Sequence, residues 1–449
     1  MSTPPSSRPV RRLPLLVILI IAIAIAGAPA EALITNGKLD LNQVVSTEQT
    51  IQIVRDLKLA HPVGYQVMTP DEFARLIAKP APGEPSDAQV AAESAVGAML
   101  GMFPKGTDLR QAAIETLKTQ LLAFYDFHTR KMVVIDGNAT APLETAMAQA
   151  GKRDLIGYLI LSHELTHALQ DQNFSLGDQM ARDHGNGDRE LALRSVAEGD
   201  ATLAGWGYAL GRMDSGTLTL LEAHLGDATK AFARDGSSGS LALYQYFNFP
   251  YTEGLRFIGV AYERGGWAAV DALYRNPPQS TQQIIDPSLY YDHRIPPAQV
   301  DVAGFAQLLA GWDVVERDTN GELTLKVIIQ RNLGENAREL PLARQWAGDR
   351  IVLLRDGVRF GAIWLIAFRD AGAAHDFGAA YGRILARISG RATPYQIACR
   401  DRSVAVIVGY PARVRNLASA VLDASRVQGV VPLPPSTAGG TGAIRPASH

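Results

Sequence analysis

His163 and His167 stand four residues apart in Ser162-His163-Glu164-Leu165-Thr166-His167-Ala168-Leu169-Gln170-Asp171. Around them, from Asp154 to Gln172, Leu155, Ile156, Leu159, Ile160 and Leu169 recur with a helical period. Positions i and i+4 leave the same face of a helix, so both imidazoles can reach one ion. An ion held by two side chains of one helix needs a further donor from elsewhere. The chain must therefore bring a second element against this helix, which limits the fold more than any composition figure does.

Glu164 follows the first histidine directly. That position puts its carboxylate near a metal-bound water without making it a ligand. The His-Glu-x-x-His spacing suits zinc hydrolysis, in which zinc lowers the pKa of a water and Glu164 takes its proton. A third histidine in the form His-x-x-Gly-x-x-His is absent, because Ala168, Leu169 and Gln170 follow His167. The other source is an acid on a following helix. Glu198 lies in Ser195-Val-Ala-Glu198-Gly-Asp-Ala201, within a predicted helix from Glu190 to Leu210. Ala197 and Gly199 flank it, small enough to let two helices approach closely. Glu198 is the expected third ligand, with Glu190, Asp200 and His184 as the remaining candidates. Gln170 and Asp171, three and four residues after His167, can reach a ligand's free N–H. The polar end of a helix accounts for the same two residues equally well.

The 449 residues exceed one ordinary core, so more than one folded unit is expected. A net charge of −2, from 43 basic and 45 acidic residues without a basic stripe, argues against nucleic acid as a partner. The lone Cys399 cannot form an intrachain disulfide and reads as a small core residue.

Arg8, Arg11 and Arg12 precede an apolar run from Leu13 to Ala26, and Ala28-Pro29-Ala30 has the form of a signal peptidase site. Residues 1–30 therefore read as a secretory signal, with an uncleaved membrane anchor as the alternative. Either way the rest of the chain faces outward: periplasmic, extracellular or membrane-anchored.

Residues 31–84 read as a small α+β lead-in: a helix over Thr47 to Leu59, a strand over His61 to Met68, then a helix opened by Thr69-Pro70-Asp71-Glu72. A packed subdomain and a cleaved pro-segment are both compatible with it. Residues 85–297 form the expected catalytic domain. They hold a helix near Gln89 to Met102, a hairpin of Leu121–Tyr125 and Lys131–Ile135, and the two site helices joined by a loop over Ser175 to Asp188. Further helices are predicted over Gly216–Ala233 and Thr252–Arg275, the last interrupted at Gly265-Gly266.

Residues 298–430 read as an antiparallel α+β domain. Its predicted hairpins are Asp313–Arg317 with Glu322–Gln330 and Arg350–Arg355 with Phe360–Phe368. Helices at Ala371–Ile388 and Ala412–Arg426 flank a strand at Ser403–Val408. Residues 431–449 are rich in Pro, Gly, Ser and Thr and read as a disordered tail. The fold class expected is α+β: a mainly helical zincin-like domain with a short strand hairpin, followed by the antiparallel unit.

From residue 120 to 295 the chain resembles the gluzincin-type zinc peptidases, and more narrowly an uncharacterised group of bacterial exported proteins. The resemblance rests on Phe124-Tyr125-Asp126, His163 through Gln172, Val196-Ala-Glu-Gly-Asp200, Phe249-Pro-Tyr-Thr-Glu-Gly254 and Pro278 through Ile285. It implies a zinc peptidase core acting on a peptide or protein. The family often carries Asp four residues after its Glu ligand; here that position is Thr202, and Asp200 is the nearest acid. Zinc peptidases pair substrate with an edge strand, and Lys131–Ile135 is the candidate. Tyr251 is the candidate for hydrogen-bonding the oxyanion, and a half-buried core tyrosine is the plainer reading. The rival function is a non-catalytic exported protein whose site holds a structural zinc or serves only binding.

Overall fold

A computed structural model describes residues 34–35, 38–77, 86–120, 123–135, 155–182, 185–211, 238–309, 311–390, 393–410 and 416–434. The expected signal segment, the Gly216–Ala233 helix, His184 and the tail beyond residue 434 lie outside the described residues. The fold is α+β, and its C-terminal sheet is antiparallel. Among the described residues, no helix is long and apolar enough to cross a membrane.

The first described residues make a short ladder of β1 (Ile34–Thr35) and β2 (Lys38–Leu39). Helix α1 (Leu41–Arg55) then starts where the Asp40 side chain accepts from the backbone N–H groups of Asn42 and Gln43. Strand β3 (Gly64–Met68) leads to α2 (Pro70–Ile77), opened as predicted by reciprocal bonds between Thr69 and Glu72. Ser86 and Gln89 make the same box, which the sequence reading missed, at the start of α3 (Asp87–Met99). Helix α4 (Leu109–Gln120) precedes the hairpin of β4 (Ala123–Asp126) and β5 (Lys131–Ile135).

Lys131–Ile135 is not an edge strand. β3 pairs with it in parallel on the side away from β4, so β5 is central and, among the described residues, β3 and β4 are the edges. A hairpin is visible as two neighbouring apolar runs, whereas a parallel partner far upstream leaves no local trace.

The site helices follow: α5 (Leu155–Phe174), α6 (Leu176–Arg182), α7 (Gly187–Leu210) and α8 (Ser238–Arg275). The expected loop over Ser175–Asp188 thus contains a short helix, anchored by the fully buried Leu176. Helix α8 begins well before the predicted Thr252 and keeps Pro250 inside it; the predicted interruption at Gly265 and Gly266 is present as a kink. Helices α7 and α8 share a core built on Val196, Leu203, Leu255 and Ile258. A Cβ on Gly199 would fall 2.4 Å from the backbone of Gly254, so the two helices cross in backbone contact, as the small residues around Glu198 predict.

Two short helices, α9 (Thr281–Ile285) and α10 (Ser288–Tyr291), lead into the C-terminal unit. There β6 (Gln299–Asp301) comes first, and β7 (Asp313–Asp318), α11 (Gly321–Leu333), α12 (Leu340–Arg344), β8 (Trp346–Asp356) and β9 (Arg359–Phe368) follow. The chain continues through α13 (Ala371–Ser389), β10 (Tyr395–Arg400), β11 (Ser403–Val408), α14 (Leu417–Ala424) and β12 (Arg426–Gln428), which pairs with β6. The five-stranded sheet runs β10-β11-β9-β8-β7. Alternation splits its side chains: Ile351, Trp364, Ile366 and Val406 face α3, α11 and α13, while Val352, Ile363, Leu365 and Ile407 face α14 and Phe305.

Glu322–Gln330 was expected as a strand and is helix. Leu323 and Val327 face the helical core, whereas Leu325, Ile328 and Ile329 face the sheet. A helix buried on two sides is apolar at nearly every other position, which mimics the period of a strand. The predicted Ala412–Arg426 helix is shorter, and Tyr395–Arg400, not predicted, is an edge strand. Cys399 lies on that strand and is exposed instead of buried in a core.

Candidate metal centre

Helix α5 carries His163 and His167, and α7 carries Glu198 against them. His163 Nε2 lies 3.2 Å from Glu198 Oε2 and 3.2 Å from His167 Nε2, and His167 Nε2 lies 3.3 Å from Glu198 Oε2. The three atoms form a nearly equilateral triangle. An ion bound tetrahedrally at roughly 2.0–2.1 Å separates its donors by about 3.3 Å, so the triangle has the size such an ion needs. All three side chains are buried, and this group could hold a metal ion.

The hydrogen bonds behind His167 fix its tautomer. Gln170 Nε2 donates to the carbonyl of Ala197 at 3.0 Å and to Asp200 Oδ2 at 3.0 Å, so Gln170 Oε1 is the atom facing His167 Nδ1, 2.8 Å away. Nδ1 therefore carries the hydrogen, and Nε2 is left to the triangle. A carboxylate oxygen and two ring nitrogens this close need a cation or a proton among them. Without an ion, a proton does so. Burial would lower the pKa of His167, but the charges of Glu198 and Glu164 carry it up to about 9. Burial pushes His163 below its usual value despite its bond to Glu198. Burial would also raise Glu198, but His167 and His163 hold its carboxyl well below the usual range.

Of the two residues expected behind the imidazoles, Gln170 does reach His167. Asp171 instead accepts from the Gly177 N–H at 3.0 Å and the Tyr125 hydroxyl at 3.3 Å. Asp200 stands outside the group of His163, His167 and Glu198. It accepts from Gln170, from the Tyr274 hydroxyl at 2.7 Å and from Arg55 Nε at 2.6 Å. Glu190 pairs with Arg194 at 3.3 Å. The sequence reading missed Arg55 and Tyr274, because nothing local marks either residue as a partner of Asp200.

Glu164 is completely buried. Its Oε2 accepts the backbone N–H of Tyr125, on edge strand β4, at 2.9 Å. Its Oε1 has no hydrogen-bond partner among the described residues. Burial pushes its pKa up to about 8; the His167 charge and the Tyr125 bond offset only part of that. Tyr251, from α8, lies with its ring roughly parallel to that of His163, centroids 6.1 Å apart. Its hydroxyl is buried without a hydrogen bond of normal geometry. Burial, then the charges of Glu198 and Glu164, raise its pKa well above 10, so it keeps its proton.

A family described as a domain of unknown function (DUF8575) matches residues 307–426, the part of the chain that holds the five-stranded sheet. No curated protein and no solved structure matches the chain. His163, His167 and Glu198 all lie outside the matched residues.

Proposed function

We propose that the chain is an exported zinc-dependent peptidase, with His163, His167 and Glu198 holding the ion and Glu164 acting as general base. The observation that carries this reading is the free Oε1 of Glu164 beside the two-histidine, one-carboxylate triangle. An orphaned buried carboxylate oxygen costs on the order of 1–3 kcal/mol, and a site that only held an ion would have no use for it. The donor set and its spacing fit zinc. When bound, zinc supplies a Lewis acid and lowers the pKa of water toward neutrality.

The protein's own groups do the rest. Glu164, ionised when a cation in the triangle offsets its burial, accepts a proton from the attacking water at Oε1, while the Tyr125 N–H holds Oε2 in place. Glu164 then hands that proton to the leaving nitrogen. Tyr251, still protonated and without a hydrogen bond of normal geometry among the described residues, donates to the oxygen that gains charge. A peptide substrate would extend along β4, the edge strand that carries Tyr125, in place of the central β5.

The rival, an ion-holding site without turnover, draws support from the burial of all four polar side chains. Zinc content and peptide hydrolysis, measured together, separate the two. Glu164→Gln should keep the metal and lose about 10²–10⁴ in rate. Glu198→Gln should lose metal, with partial recovery in excess zinc. A wild-type protein that binds zinc stoichiometrically but hydrolyses no peptide in a broad library would favour the rival.

A further inference from the structure

Arg55 is the last residue of α1, in the segment that reads as a packed lead-in with a cleaved pro-segment as the alternative. Its side chain is completely buried. Nε lies 2.6 Å from Asp200 Oδ1, and Nη2 lies 3.2 Å from Asp200 Oδ2 and 2.6 Å from Asp271 Oδ1. The guanidinium also sits 4.5 Å over the ring of Trp267. Asp271 and Trp267 belong to α8 and Asp200 to α7, so one side chain of α1 joins both helices behind the metal centre. Asp200 in turn takes the Gln170 amide, and Gln170 takes the His167 Nδ1 hydrogen.

Arg55 sets the acceptor end of this chain of bonds, and the Ala197 carbonyl supports the same orientation of Gln170. A guanidinium can only donate, so it requires Asp200 to accept. Asp200, as an acceptor, holds the NH2 side of Gln170. The carbonyl side of Gln170 is then committed to His167, and the Nε2 of His167 is committed to the triangle. Without Arg55, two acids would face each other without their shared donor, and the Gln170 amide would keep only the Ala197 carbonyl to orient it. The imidazole would then be held less firmly in its tautomer.

We infer that Arg55 is a positioning residue for the ligand His167, acting through Asp200 and Gln170, and that helix α1 stays with the metal centre instead of leaving as a pro-segment. This inference rests on the metal reading above and does not require peptidase activity.

The test uses the full mature chain with zinc and with cobalt(II) as probes. Zinc affinity is read by chelator competition, the cobalt(II) ligand-field spectrum reports ligand geometry, and circular dichroism reports folding of each metal-free variant. Removing a partner one step behind a ligand typically weakens metal binding by about 10–100-fold. Arg55→Ala and Gln170→Leu should both fall in that range and alter the cobalt(II) spectrum. Arg55→Lys, which keeps the charge and the donor role, should recover most of the affinity even if Arg55→Ala folds poorly. Metal-bearing protein isolated from the producing cells should begin before Leu41.

A folded Arg55→Ala with wild-type zinc affinity and spectrum would overturn the positioning role. So would a metal-bearing natural form that begins after Arg55. If the wild type itself binds neither ion, the metal reading fails first and takes this inference with it.

Discussion

Gly199 and Gly254 touch backbone to backbone where the helix bearing Glu198 crosses the helix bearing Tyr251. A Cβ on Gly254 would fall 2.3 Å from the carbonyl oxygen of Ser195, so the contact tolerates a side chain on neither helix. The crossing sets how deep Glu198 and Tyr251 reach beside His163.

Gly199→Ala should therefore destabilise the fold and loosen the metal centre together. Overpacking typically costs about 1–3 kcal/mol, and here the obstructing atoms are backbone, which puts the cost at the upper end. Gly205→Ala is the control, because its Cβ would meet Leu159 at an ordinary 3.4 Å. Denaturant unfolding and chelator competition on both variants check this. Equal effects from the two would remove the crossing as the cause.

Zinc should raise the thermal midpoint of the wild type. A ligand at a hundred times its dissociation constant adds about 2.7 kcal/mol to a state that alone binds it. The shift should persist in Glu164→Gln, whose mutated side chain is not in the triangle, vanish in His163→Ala, and shrink in Glu198→Gln, returning in part with excess zinc. A melting series with zinc and with chelator reads this. An unchanged shift in His163→Ala would mean that the ion binds elsewhere.

Asp188 gives the protein a pH dependence away from the metal centre. Thr281 donates to its Oδ1 through both N–H and hydroxyl, while Oδ2 has no partner among the described residues. Burial raises its pKa from 3.8 to about 8. Between those values the folded chain holds a proton that the unfolded chain has lost. The stabilisation is complete below pH 3.8 and declines as pH rises through about 8. Glu322, raised by burial to about 7, adds a slope of the same sign. Asp188→Asn should flatten the loss of stability between pH 3.8 and about 8, measured by urea unfolding at several pH values. An unchanged slope would count against a buried, protonated Asp188.

Asp349 organises the C-terminal sheet in the same manner that Asp200 organises the metal centre. Its carboxylate accepts from the backbone N–H groups of Asn320 and Gly321 and from the indoles of Trp346 and Trp364. Each orphaned buried donor costs about 1–3 kcal/mol, so Asp349→Ala should cost at least about 3 kcal/mol. Asp349→Asn should cost less, since one acceptor oxygen remains. Tryptophan fluorescence during unfolding follows both indoles directly, and a loss under about 1 kcal/mol in the alanine variant would contradict the arrangement.

The local half of the centre was legible in the sequence. His163, Glu164 and His167 share one helix, so their relation is set by helical spacing, and Glu198 was marked by the small residues on either side of it. Gln170 was legible as a candidate because it too is a helical neighbour of His167. Arg55 was not, because its ion pair with Asp200 spans 145 residues, and an arginine at the end of an ordinary helix looks like any solvated charge. The same limit hid β3 beside β5. The error over Glu322–Gln330 was of another kind: apolar periodicity reports how many faces are buried, and a helix between two cores has no polar side to give it away.

Helix α3 has a consequence for how the chain reaches this state. Ala92, Val96 and Leu100 complete one face of the C-terminal sheet, and the Tyr381 hydroxyl bonds the Leu100 carbonyl across 281 residues. A chain made from its N-terminus onward exposes that apolar helix long before the strands it covers exist. Either α3 waits in a transient shelter, or the first half remains incomplete until the last strands arrive. Such long-range closure slows folding, and the two halves of the molecule should melt as one cooperative event. A recombinant piece limited to residues 307–426 would lack its own lid of Ala92, Val96 and Leu100 and should aggregate unless α3 is supplied.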